Sequence, residues 1–257
     1  MTLQINDLSV SYGSRKVISH FTLSAIPEGS LVAVIGPNAV GKSTLLKSLA
    51  GLLKYSGNIS LHQRVMRDLP HREVIKHVGY LPQTLPQPTT LVAYELVYSA
   101  CRAVCGNQTN VQLEASIERV FRLLGIHDLA LRRLSEMSGG QRQMVGLAQV
   151  LVRHPSLLLL DEPTSALDLH WQLNVLEAIR EETHKTKAIA LIASHDLNLA
   201  LRFCDQLIML GPGGVLAMGE PMSVLTPEHL RTAYGIEGRV ERCSRGYPIV
   251  LADSACI

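Results

Sequence analysis

Apolar and polar positions alternate over residues 2–30: Leu3, Ile5, Leu8 and Val10, then Val17, Ile18, Phe21 and Leu23. A period of two gives each segment one face for a core and one for water, the pattern of half-buried strands. Tyr12-Gly13-Ser14 and Pro27-Glu28-Gly29 break the pattern with turn residues, so this start predicts an antiparallel sheet edge. The pattern then changes. Leu31–Ile35 is apolar throughout, as a strand buried on both faces must be, and residues 45–53 read as a helix. A further strand pair is expected around 57–63 and 77–81, before Pro82, Pro86 and Pro88 interrupt regular structure.

Residues 89–136 carry no strand signal. Ile117, Val120, Phe121 and Leu124 fall at i, i+3, i+4 and i+7, and 91–103 also suits a helix. This predicts an inserted helical subdomain. From 138 strands and helices alternate: a helix over 140–153, a buried strand over 157–160, a helix over 171–183, a strand over 188–193, a short helix Leu197–Phe203, and a hairpin at Gly211-Pro212-Gly213-Gly214. The class is α/β, with a mostly parallel sheet covered on both faces. We expect one domain over 1–235. Its core is 1–88 and 138–235, including the antiparallel β edge, and 89–137 is the helical insert. Residues 236–257 form a tail whose weak signals suit a short terminal hairpin.

Chemistry enters between the first buried strand and its helix. Gly36-Pro37-Asn38-Ala39-Val40-Gly41-Lys42-Ser43-Thr44 matches G-x-x-x-x-G-K-[ST] in the strand–loop–helix setting that pattern requires. Loop and first-turn N–H groups converge on one point, where the helix N-terminus adds positive potential, so the loop binds phosphate. Lys42 is expected on the β- and γ-phosphates and Ser43 on Mg²⁺. A second buried strand ends in Asp161-Glu162: Asp161 suits a hold on Mg²⁺, and Glu162 a general base for the attacking water.

Composition limits the alternatives. The chain has 257 residues, 47% hydrophobic and 18% charged, enough to bury a large core. A net charge of +2 is too mild for a nucleic-acid binder, and none is expected as a partner. The N-terminus lacks the basic start and apolar run of a signal peptide, and no stretch reaches the ~18 apolar residues of a spanning helix. Membrane association is therefore expected to be peripheral, through a partner. Five scattered cysteines read as reduced thiols of a cytosolic protein. Cys101 and Cys105, four apart, form a conceivable metal pair but lack a nearby third ligand.

Met137-Ser138-Gly139-Gly140-Gln141, opening a helix upstream of the acidic pair, resembles the signature motif of ATP-binding cassette (ABC) ATPases. The family usually has Leu where Met137 stands. Other landmarks follow the family's order. Tyr12 is similar to the aromatic that stacks on adenine. Gln83 resembles the glutamine that contacts Mg²⁺ and water and joins the core to the insert. Ser165-Ala166-Leu167-Asp168 resembles the loop that communicates across the dimer, and His195 the histidine that senses the γ-phosphate. The resemblance implies a P-loop NTPase core, ATP and Mg²⁺ as cofactors, and a head-to-tail dimer in which Ser138, Gly139, Gly140 and Gln141 face the opposite subunit's ATP. Catalytic roles fall on Glu162, His195, Lys42 and Gln83, and metal ligation on Ser43, Gln83 and Asp161. One departure is Ala39-Val40, where the family often has Gly and a small residue. A positive φ at position 39 would be expected to weaken ATP binding.

The segments after Asp161 and His195, and the tail from Gly219-Glu220-Pro221, resemble the ATPases of bacterial importers for iron–siderophore, haem and cobalamin. The expected task is uptake of a metal chelate, first a ferric siderophore, through a separate permease fed by a periplasmic or surface binding protein. The chain would then sit on the cytoplasmic face of the inner membrane. Importers of haem, cobalamin or zinc and manganese remain open, as does a soluble ATPase of iron–sulfur cluster assembly. A mechanical ATPase head of the DNA-repair type is disfavoured, because only about a hundred residues separate Thr44 from Ser138.

Overall fold

The structure, a computed structural model, describes residues 2–85, 87, 89–104 and 108–256. Pro86, Pro88 and Cys105, named above, lie outside the described residues. Two long strands come first, β1 (Thr2–Tyr12) and β2 (Arg15–Pro27), paired antiparallel. Leu3, Ile5, Leu8 and Val10 are the buried side of β1; the three-residue step from Ile5 to Leu8 breaks strict alternation, and a register shift there, with Asp7 at φ 54, keeps Leu8 inside. β3 (Leu31–Ile35) is buried at every residue, and α1 (Lys42–Leu49) follows the phosphate loop. α1 starts earlier and ends earlier than the apolar pattern suggests. Gly41, with φ 114, is its N-cap, and its first turn is polar because it faces the loop rather than the core.

β4 (Ser56–Leu61) and the two-residue β5 (Arg64–Val65) complete a four-stranded sheet in the order β2-β1-β4-β5. α2 (His71–His77) leads into β6 (Val78–Leu81). The insert contributes α3 (Ala93–Val104) and α4 (Asn110–Leu124), the latter opened by a Thr109–Gln112 capping box and closed by Gly125 at φ 65. Then come α5 (Gly139–Leu151), β7 (Leu157–Asp161), α6 (Leu169–Thr186), β8 (Ile189–Ala193), α7 (Leu197–Phe203), and the hairpin β9 (Gln206–Gly211) and β10 (Gly214–Gly219). Short helices α8 (Pro221–Val224) and α9 (Pro227–Tyr234) precede a separate hairpin, β11 (Ile236–Arg242) with β12 (Pro248–Ala255).

The main sheet has the order β10-β9-β3-β8-β7-β6, parallel except for β10. The expected strand pair at 57–63 and 77–81 is therefore corrected: β4 joins β1 in the small sheet, while β6 lies beside β7 in the large one. Successive residues of the buried strands face opposite cores. Ala33, Leu158, Leu160 and Ile192 pack toward α3–α7, whereas Val32, Val34, Leu159 and Leu191 pack toward α1 and the antiparallel sheet. Two cores share one sheet, and so its strands are apolar without a break. Cys101 is completely buried in the first core, and its Sγ lies 3.8 Å from the Val152 carbonyl. Among the described residues no three His, Cys, Asp or Glu side chains are grouped to hold a metal ion.

Candidate active site

The parallel strands β3, β6, β7 and β8 end on one edge of the sheet, so the turns after them converge there. Those turns carry the phosphate loop, Gln83, Glu162 and His195 in that order. Gly36 has φ 145, and a Cβ on it would stand 2.5 Å from the Leu210 carbonyl, so only glycine lets the loop leave β3 beside β9. Ala39 takes φ 62, a left-handed conformation that costs an L-residue roughly 1–2 kcal/mol. Lys42 is buried, and its Nζ donates to the carbonyls of Gly36 at 2.7 Å and Pro37 at 2.9 Å. Burial lowers the Lys42 pKa, while the Glu162 and Asp161 carboxylates oppose that shift. The ammonium is thus held over its own loop, a position from which it can turn to a phosphate.

Ser43 Oγ donates to Asp161 Oδ1 at 2.9 Å, and Tyr80 OH approaches Asp161 Oδ2 at 3.4 Å. Asp161 is 1% exposed, and burial raises its pKa against the Ser43 hydrogen bond. Burial, together with the Asp161 charge, likewise raises the Tyr80 phenol. A buried carboxylate and a hydroxyl in contact form a hard oxygen donor set that fits Mg²⁺. Glu162 sits at φ 53 immediately after β7. Its two carboxylate oxygens are divided: Gln83 Nε2 donates to Oε2 at 2.7 Å, and His195 Nε2 contacts Oε1.

A groove of about 960 Å³ joins these parts. Its lining includes Tyr12 at the rim, Asn38, Ala39, Gly41, Lys42, Ser43 and Thr44 of the loop, and Gln83, Glu162 and His195 opposite. Gly36, Pro37 and Val40 form the rear of the loop and Asp161 lies beneath Ser43. Arg15 and Val17 of β2 also line the groove, as the sequence reading missed; the only sequence signal was that they follow Tyr12 across a tight turn. Tyr80 was missed as a neighbour of Asp161, although it stands three residues before Gln83 on the strand beside β7.

The remaining site residues lie elsewhere. Ser138 caps α5: its Oγ accepts the Gln141 N–H at 3.2 Å, and its own N–H donates to Gln141 Oε1 at 3.1 Å. Ser138, Gly140 and Gln141 line a second cavity of about 360 Å³ with Leu167, Asp168 and Trp171. A Cβ on Gly140 would stand 2.9 Å from the Ala166 carbonyl, so this glycine lets the helix touch that loop. A Cβ on Gly139 would meet nothing within 4 Å, and its φ is ordinary. Within one chain Gly139 has no steric reason to be glycine.

A phosphate loop on the central strand, with an acidic pair ending the second strand away and a glutamine and histidine closing on it, defines a P-loop ATPase. The ABC transporter family model matches residues 21–165, more than half of the chain, and the chain belongs to that family. It is 35% identical to an ABC transporter ATP-binding protein of Methanocaldococcus jannaschii, with 98% of each chain covered. It is also 35% identical to the hemin import ATP-binding protein HmuV of Bordetella avium, over 93% of this chain and 94% of the relative. The iron(3+)-hydroxamate import ATP-binding protein FhuC of Bacillus subtilis is 33% identical, over 93% and 90%. The solved structure of an ATP-binding subunit of an ABC transporter superposes with a TM-score of 0.77 at 28% identity, over 87% of this chain and 92% of that one. The chain is an ATP-binding ATPase with the cassette fold. No helix among its described residues is long and apolar enough to cross a membrane.

Proposed function

We propose that this chain is the ATP-hydrolysing subunit of an importer for a metal chelate, first a ferric siderophore. The arrangement that carries the hydrolysis part of the reading is the shared edge where Lys42, Ser43, Gln83, Glu162 and His195 meet one groove while Ser138, Gly140 and Gln141 line a separate cavity. Relatives named for hemin and for iron(3+)-hydroxamate import support the cargo class. Partners are then a second copy, a membrane permease at the cytoplasmic face of the inner membrane, and a periplasmic or surface binding protein. The cargo touches those partners and not this subunit.

In this reading the loop amides and Lys42 hold the ATP phosphates, and Tyr12 packs on the base. Ser43 and Asp161, with Gln83, would hold Mg²⁺, which supplies charge neutralisation on the phosphates. Glu162 takes a proton from the attacking water, oriented from both sides by Gln83 and His195. Ser138 and the Gly139 and Gly140 amides bind the partner's nucleotide, which accounts for the open space at Gly139. Glu162→Gln is expected to bind ATP, dimerise and bring down a polytopic membrane protein. Its hydrolysis should fall at least ~10²-fold, the usual worth of a general base. Near-normal turnover would refute the base assignment, and a soluble scaffold in place of the membrane protein would refute the importer.

A further inference from the structure

Asn198 is exposed on α7, the helix that begins two residues after His195, and it lines no part of the ATP groove. Its Oδ1 nevertheless accepts the N–H of Val250 on β12 at 2.7 Å, across 52 residues of sequence. One turn further along the same face of α7, the Arg202 guanidinium lies 5.0 Å from the ring centroid of Tyr247 and 5.3 Å from that of Phe203. Tyr247 immediately precedes β12. The terminal hairpin therefore grips one face of α7 at two points, while Leu199, Ala200, Leu201 and Phe203 are buried.

Little slack separates this grip from the site. Asp196 caps α7 by accepting the Leu199 N–H at 2.9 Å, and Ser194 Oγ accepts the Asp196 N–H at 3.1 Å. His195 sits between these two bonds, so the position of α7 sets where the imidazole meets Glu162. The hairpin is anchored at its other end as well. The Cys256 N–H donates to the Gly235 carbonyl at 2.7 Å, and Arg231 forks onto Glu237 at 2.9 and 2.7 Å. Tyr234, the last residue of α9, turns its buried hydroxyl toward the Gly36 amide, short of hydrogen-bond geometry. The hairpin thus joins the end of α9 to the helix of the histidine.

We propose that the terminal hairpin is a strap that sets the hydrolysis site, and that Asn198 is the positioning residue through which it fixes His195 against Glu162. This rests on the role given to His195 above. Both partners of the Asn198 bond are near solvent, so its loss leaves no stranded buried group and the fold should survive. Single-turnover hydrolysis by the full chain tests the idea. Asn198→Ala should lower the rate about threefold to tenfold, the equivalent of one hydrogen bond, with ATP affinity unchanged. Asn198→Asp, which keeps an acceptor oxygen, should restore the rate. In a His195→Ala background, Asn198→Ala should have no further effect. A wild-type rate in Asn198→Ala, or an equal loss in both backgrounds, would overturn the strap. A wild-type rate in His195→Ala alone would instead remove the role of the histidine, and the strap with it.

Discussion

Two residues of the site hold left-handed backbones without being glycine: Ala39 at φ 62 and Glu162 at φ 53. At Glu162 the conformation turns the carboxylate out of β7 toward Gln83 and His195, the setting its proposed role as base requires. At Ala39 nothing comparable is gained. The sequence raised position 39 as a weakness for ATP binding if φ were positive, and φ is positive. A left-handed angle within the folded loop costs folding stability, and that cost cancels from ATP binding as long as the loop keeps this shape. Ala39→Gly should therefore raise the melting temperature by about 2–4 °C, the shift for ~1 kcal/mol in a domain this size, and leave the ATP dissociation constant unchanged. Calorimetry and nucleotide titration check the two halves separately. The motif residues were legible because phosphate chemistry demands particular residue types at fixed spacing. Their backbone angles were not, since Ala39 and Glu162 are residues that usually avoid that region.

Among the elements, an ion pair pins α4 of the insert to α6 of the core, beside the apolar packing the two share. Arg119 of α4 donates to both carboxylate oxygens of Glu182 on α6, at 2.6 and 3.1 Å, and Glu182 is 5% exposed. Burial alone would raise the Glu182 pKa, but hydrogen bonds from His154 and Arg119 overrule it and hold the group at about 2. A depressed carboxylate stabilises the fold above its unfolded pKa and loses that contribution as pH falls through the folded one. Glu182→Gln should cost about 1–3 kcal/mol at neutral pH, as loss of hydrogen bonds to a charged group does. The gap in melting temperature between mutant and wild type should close as pH falls from 4.5 toward 2. Periodicity announced α4 and α6 but not this pair, whose partners lie 63 residues apart. It also missed α2, which buries no residue and so leaves no apolar stripe. The β4 and β6 segments were legible as strands, but their sheets were not, because sheet membership depends on long-range packing.

For the whole molecule, the separation of the two helix starts, of α1 and of α5, is what matters. α1 opens onto the ATP groove and α5 onto the other cavity, so a chain that used both on one nucleotide would need a second copy. Ser138→Arg should leave ATP binding to the monomer intact and abolish hydrolysis, because the added bulk sits where the partner's phosphate is expected. Equilibrium binding and turnover assays on the same preparation check this, and loss of monomer binding would count against the shared site. In the sequence, the proposed dimer rests only on resemblance. Gly139 adds a physical reason from the structure, since its missing side chain relieves nothing within the chain.

The central position of β3 also sets a timetable for synthesis. Its two neighbours, β8 and β9, lie about 160 and 175 residues downstream. At 5–20 residues per second, a ribosome needs roughly 10–35 s to deliver them after β3 has emerged. During that interval a five-residue strand destined for burial at every position has no sheet to join. The phosphate loop at its end, made early, is among the last parts of the nascent chain to be held in place.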